Sequence, residues 1–364
     1  MPRDIAAIRL KITQAKLEAL ESGATRPTTT QFRKIASAYR RPTAFFYLRE
    51  LPPPPKPVKD FRKVQPELHY SSQAIHDAFS QGRTRREKAL ELASTLNETI
   101  PVFGVRADRR TPATTLSAHI RRRLGVSVSE QLGWKADAYK TLRLWSDAIE
   151  SAGVIVSQFS DVAVGELRGF SITDQPFPIV CANGKDGPQA RLFTLFHELA
   201  HVAMGDGGFC DLHNQDEHGW VEPFCNQVAG EALVPSDALD QEQLVRTHSG
   251  LTWTDGDLKT LAARFGVGVL VILRRLLSLE RTTKAFYREK HAQYTSAAKA
   301  AAKHGKGILL PFKRAIRDNG RRFAGMVLNA YEREHISGLE LSRLLGGIRL
   351  KHLPALMNEI RGAA

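Results

Sequence analysis

Residues 190–204 read ARLFTLFHELAHVAM. His197 and His201 are four positions apart, so on a helix one imidazole stands above the other on the same face. Thr194, Leu195, Phe196, Leu199, Ala200, Val202 and Ala203 are all uncharged, as a half-buried helix requires. A neutral imidazole is a good Zn²⁺ ligand, and two from one rigid scaffold leave a tetrahedral site half filled. Glu198 follows the first histidine directly, where it can reach a metal-bound water without ligating the metal. This is the HExxH arrangement of metalloproteases, expected by chance roughly 0.02 times in a chain of this length and composition.

Outward from that helix, the signals set the fold class. VIVSQF (154–159), LRGFSI (167–172) and FPIVCAN (177–183) are β-rich. FPIVCAN is expected either as an edge strand able to hold a substrate backbone by strand addition or as a plain structural strand. Helical spacing marks 71–98, 112–124 and 135–152, and nearly everything beyond 256. The fold class expected is α+β, mainly helical, with a small β-sheet. A catalytic zinc takes a third protein ligand. Glu222 is favoured because it opens the helix EPFCNQVAGEALVP, and a helix preorganises a ligand better than a loop does. Asp206, Asp211, His213, Asp216, Glu217 and His218, all in the loop between, are its rivals. His213 and His218 are also the candidates for an oxyanion donor, against the plain reading of solvated loop histidines. Cys210 and Cys225 lie close enough in sequence for a redox thiol beside the metal; the alternative is a small buried hydrophobe.

Charge divides the chain of 364 residues, whose net charge is +14. Residues 1–70 carry 14 basic and 6 acidic side chains, and residues 280–364 carry 17 and 7. Residues 71–279 carry 21 and 25, with no Lys or Arg from Leu192 to Val245. Basic ends suggest contact with a polyanion such as DNA, and no fixed cation competes with an ion in the centre. No uncharged apolar run reaches the ~18 residues of a membrane span, which excludes an integral helical membrane protein. The first 30 residues are charged throughout and do not look like a signal peptide. Three cysteines fit a reducing, cytoplasmic location.

The N-terminal residues show helical spacing at 4–10, 13–22 and 28–39, a short piece at 43–48, and then LPPPPKPVKDFR. Four consecutive prolines, Pro52 to Pro55, forbid helix and set a stiff linker. Four regions are therefore expected: 1–50, a linker at 51–70, a metal domain at 71–255, and a helical C-terminal region at 256–364. Within the last, DLKTLAARFGVGVLVILRRLLSL (257–279) reads as helix, glycine turn, helix.

GVIVSQF, LRGFSI, PIVCANGKDGPQARLFTLFHELAHVAMGDGGFCD and EPFCNQVAGEALVP together closely resemble the ImmA/IrrE family of zinc metallo-endopeptidases. The resemblance implies a zincin-like peptidase core of the gluzincin-like kind: His197, His201 and Glu222 as zinc ligands and Glu198 as the base. LEALESGATRPTTTQFRKIASAYRRPTAFFYLRELPPPP, followed by DFR, resembles the helix-turn-helix domain of Xre-type repressors, with 13–22 as recognition helix. It departs from that pattern in that the family's first helix would precede Asp4, where three residues stand. The function implied is a cytoplasmic zinc endopeptidase that cleaves a specific regulator, an Xre-type repressor. The alternative is a DNA-binding transcriptional regulator whose metal domain acts as a sensor. A small-molecule metallohydrolase is a third reading, disfavoured because the resemblance is to enzymes that cleave proteins.

Overall fold

The computed structural model describes residues 3–39, 43–48, 73–134, 137–205, 209–210, 219–302 and 309–362. The chain forms two compact units, Met1–Pro57 and Val58–Ala364. The expected linker at 51–70 lies outside the described residues. No described helix is long and apolar enough to cross a membrane.

The N-terminal unit consists of α1 (Arg3–Leu10), α2 (Gln14–Glu21), α3 (Thr29–Ala38) and a 3-10 turn at Thr43–Tyr47. Thr13 caps α2 by accepting from Lys16 N, 3.3 Å away. Thr28 and Gln31 bond reciprocally at the start of α3, a capping-box pattern. The buried core among the described residues is Ala6, Ala7 and Leu17, flanked by Leu10, Ile12 and Tyr39. Arg3 ties α1 to Glu21 of α2 at 2.8 Å.

The larger unit begins with α4 (Gln73–Leu96), α5 (Ala113–Leu124), α6 (Val128–Gly133) and α7 (Ala138–Ser151). The strands follow: β1 (Ile155–Phe159), β2 (Gly169–Ile172) and β3 (Ile179–Asn183). Then come α8 (Pro188–Met204), the two-residue β4 (Phe209–Cys210), and α9 (Val221–Leu233). The chain continues through α10 (Ser236–Gln241), α11 (Gln243–Arg246), α12 (Asp255–Phe265), α13 (Val269–Ser278) and α14 (Lys284–Ala302). It ends with α15 (Pro311–Asn319), α16 (Arg321–Glu332), α17 (Gly338–Leu344), a 3-10 turn at Leu350–His352, and α18 (Leu353–Arg361). The architecture is α+β and mainly helical. Short α6, α10, α11 and β4 have no counterpart in the sequence reading.

The sheet order is β1-β3-β2-β4. β3 pairs in parallel with β1 and antiparallel with β2. FPIVCAN is therefore a central strand and not an edge, and both sides of its backbone are already hydrogen-bonded. All five residues of β3 are buried, as expected when both faces of a strand are covered. Val180 and Ala182 face a core built with α8, whereas Ile179 and Cys181 face one built with α4, α15 and α16. The sheet is thus a middle layer, with the histidine-bearing helix on one face. On the other, Phe170 meets Phe79 of α4 at 5.3 Å between ring centres.

The C-terminal helices close against this core through a buried acid. Glu150, near the end of α7, is 4% exposed. Its Oε2 accepts from Arg322 N at 3.0 Å. A Cβ at Gly320, between α15 and α16, would stand 2.3 Å from Val156 O and 2.4 Å from Glu150 Oε1. Only glycine allows so close an approach. Burial pushes the Glu150 carboxyl up to about 8, so at neutral pH it is mostly protonated. The folded state then keeps a proton that the unfolded chain releases near the ordinary glutamate value, and stability falls as pH rises between the two. Glu150→Gln is expected to lack this loss. In urea unfolding at pH about 5 and about 9, its midpoint should gain on wild type at the higher pH.

Candidate metal centre

α8 starts with Gly187 and Pro188, a pairing suited to a helix N-terminus. It stops at Gly205, whose left-handed φ of 68° lets its N–H bond back to His201 O and Val202 O. Between these ends Leu195, Phe196, Leu199, Ala200, Val202 and Ala203 are all fully buried. Phe196 meets Trp145 of α7 edge to face, 4.8 Å between ring centres. That packing fixes the rotation of α8 and turns His197 and His201 toward α9.

The two Nε2 atoms lie 3.2 Å apart. Glu222, in the first turn of α9, brings Oε2 to 3.2 Å from His197 Nε2 and Oε1 to 3.2 Å from His201 Nε2. Both imidazoles are at most 2% exposed. Three donors at metal bonds of about 2.0–2.1 Å in a tetrahedral arrangement would stand about 3.3 Å from one another, close to the spacings found. Glu222 Oε2 is buried with no hydrogen-bond partner among the described residues, although His197 Nε2 is so near. A cation shared by the three groups satisfies that oxygen, so the donor set fits a metal site. These are also the residues whose ligand atoms cluster within 4.8 Å among the described residues.

The electrostatics agree with the donor chemistry. Burial pushes the His197 imidazole below its usual value, against the pull of Glu222, which favours the neutral form that ligates. Burial alone would raise the Glu222 carboxyl, but the two imidazoles facing it hold it down at about 2. It is ionised and ready to bind a cation.

Glu198 is 1% exposed and lies on the side of α8 that meets β2. A Cβ at Gly169 would stand 2.3 Å from Thr194 Cγ2, 2.8 Å from Cys181 O and 3.0 Å from Glu198 Oε1. Gly169 thus lets strand β2 run directly against the Glu198 carboxylate. This residue carried no sequence signal beyond being a glycine in a strand, which is itself a mark of close backbone approach.

The far end of α9 is anchored by residues that the motif does not include. Arg121 Nη1 donates to Ala232 O at 2.7 Å, Gln131 Nε2 to Leu233 O at 2.9 Å, and Arg275 Nε to Val234 O at 2.8 Å. Arg275 is also paired with Glu231 of α9, and Ser236 Oγ donates to the same carboxylate. Both arginines and Gln131 are buried. Helix C-terminal carbonyls that lack intrahelical partners are satisfied here by side chains from α5, α6 and α13.

The other sequence candidates are placed as follows. Asp206, Asp211, His213, Asp216, Glu217 and His218 lie outside the described residues. Cys225 is fully buried one turn after Glu222, and burial raises its thiol pKa. Burial thus favours the thiol form, and the group lies beside His201. Cys210 contributes its backbone to β4. α12 and α13 share one hydrophobic core with α8 and α9, so the glycine-turn segment at 257–279 packs against the metal-bearing helices.

No curated protein matches the chain. Residues 151–277, from the last residue of α7 to the end region of α13, match the peptidase M78 family, described as the IrrE N-terminal-like domain, and this similarity supports a metallopeptidase of the IrrE/ImmA type.

Proposed function

We propose that the protein is a zinc-dependent endopeptidase that hydrolyses a peptide bond in a specific regulatory protein, a helix-turn-helix repressor of the Xre type. The observation that carries the reading is the convergence of His197, His201 and Glu222 at mutual distances of 3.2 Å, with Glu198 beside them on α8. In this reading the first three hold the zinc. Bound there, zinc lowers the pKa of a water from 15.7 to about 7 and polarises the scissile carbonyl. Glu198 takes the proton from the attacking water and returns it to the leaving amine. The buried flank of α8 excludes bulk water from that transfer and keeps the carboxylate in place. His213 and His218 remain the candidates to donate to the oxyanion.

The substrate assignment rests on the family resemblance and on charge. The basic segments at 1–70 and 280–364 would bring the protease to DNA, where its repressor substrate is bound. Deleting residues 1–70 is then expected to remove retention on DNA in a gel-shift assay, and unchanged retention would contradict that role. For catalysis, the purified protein should be incubated with zinc and an Xre-type repressor, the first choice being one encoded beside its gene if the neighbourhood holds one. Cleavage is expected and should be abolished by chelator. Glu198→Gln is expected to keep its zinc and lose about 10²–10⁴-fold in rate. Cleavage by Glu198→Gln at the wild-type rate would contradict the assignment.

A further inference from the structure

On the side of the larger unit formed by its C-terminal helices lies a cavity of about 390 Å³. It is bounded by the end of β1, by α4 and α15, and by the turn after α17. Its volume is in the range of small-molecule sites, roughly 300–1,000 Å³, and none of the proposed zinc ligands lines it.

Three arginines line this cavity: Arg85, Arg314 and Arg349. Arg85 donates from Nε and Nη2 to Asn319 Oδ1, at 3.2 and 2.9 Å. Asn319 is itself 3% exposed and gives its amide to Ala315 O. The charge of Arg85 is thus met by a neutral amide, and it forms no ion pair among the described residues. Burial lowers its hold on its proton, and the attraction of Asp318 offsets that only in part. The Arg314 and Arg349 side chains form no hydrogen bond or ion pair among the described residues. Of the two acids on the wall, Asp318 accepts from Arg317 Nε at 2.6 Å and attracts Arg85 without forming an ion pair with it, and Asp161 is exposed at the rim.

Arg85 is half-buried and Arg314 and Arg349 are exposed, and a fork of N–H donors matches phosphate oxygens two at a time. Phosphate alone is too small for the space. The remaining wall is mixed: Phe159, Leu345 and Ile348 offer apolar surface and Gln81, Ser160 and His352 polar groups, a lining that suits an organic body with hydrogen-bonding edges. We propose that this cavity binds a nucleoside phosphate, its phosphate held by Arg85, Arg314 and Arg349 and its base and sugar against Phe159 and Ile348. This gives part of the positive charge of the 280–364 region a ligand other than nucleic acid. It is independent of the hydrolytic reading. The cavity also touches the metal-bearing helix through one bond: Gln158, on its wall, accepts from Arg191 of α8 at 2.7 Å.

The test is calorimetric titration of the full-length protein with AMP, GMP, CMP and UMP and their diphosphates, alongside inorganic phosphate, citrate and a duplex oligonucleotide. Saturable binding of at least one nucleotide is expected, one per chain, with inorganic phosphate weaker. The double variant Arg314→Glu/Arg349→Glu changes two exposed side chains and should keep the wild-type melting temperature while weakening the nucleotide about tenfold or more. Arg85→Lys, which keeps the charge but loses the fork, should weaken it as well. Four results would overturn the proposal: no saturable nucleotide binding up to about 1 mM, citrate binding as tightly as the best nucleotide, competition by the oligonucleotide for the same site, or wild-type affinity in the double variant.

Discussion

Ala232, Leu233 and Val234 end α9 in the protein interior, all three fully buried, and their carbonyls need donors that water cannot supply. Arg121, Gln131 and Arg275 provide them. This fixes α9 along its axis, and Glu222 at the other end of the same helix is fixed with it. A buried charge left without its partner costs about 3–5 kcal/mol, so the Arg275–Glu231 pair can hold α9 in one register but not in a neighbouring one. Cations also suit the C-terminal end of a helix dipole. Arg121 adds a second link, since its guanidinium lies 5.3 Å from the centre of Trp145, and Trp145 packs on Phe196 next to His197. One set of buried donors therefore sets both helices that carry the candidate ligands.

The sheet supplies the other boundary. α8 lies on the face lined by Val156, Val180 and Ala182, while α4 and the C-terminal helices cover the opposite face. The glycine at 169 brings β2 close enough to touch Glu198. The carboxylate proposed as base is thus confined between a strand and its own helix, and the two imidazoles face Glu222 of α9. The acidic middle of the chain has a local meaning here. With no Lys or Arg from Leu192 to Val245, Glu222 has no cation within its own segment to satisfy it, a need that a metal ion would meet.

Much of this was legible in the residues themselves. The spacing of His197 and His201, the uncharged flank of α8 and the glycine at 205 identify the helix and its face. The position of Glu222 at the head of a helix favoured it among seven candidate ligands, and the family resemblance singled it out. Of the two readings of β3, edge strand or plain structural strand, the second holds, for a physical reason. FPIVCAN is an unbroken apolar run, the pattern of a strand covered on both faces, and an edge strand open to a partner should alternate. α6 was missed because six residues are too few to show a helical period. Gln131 and Arg121 were invisible because their partners are distant in sequence: Gln131 bonds Phe265 O across 134 residues. Arg275 did leave a trace, a charge inside VLVILRRLLS, where a buried arginine implies a buried acceptor. The cavity beside Arg85 joins residues from 78 to 352, and no local pattern announces it.

The central claim is that His197, His201 and Glu222 form one metal site. Elemental analysis of the purified protein tests it without any knowledge of the substrate. The expected result is about one zinc per chain in wild type and almost none in a folded Glu222→Ala variant. Metal-free wild-type protein that takes up no zinc, or a Glu222→Ala variant that holds as much zinc as wild type, would contradict the account.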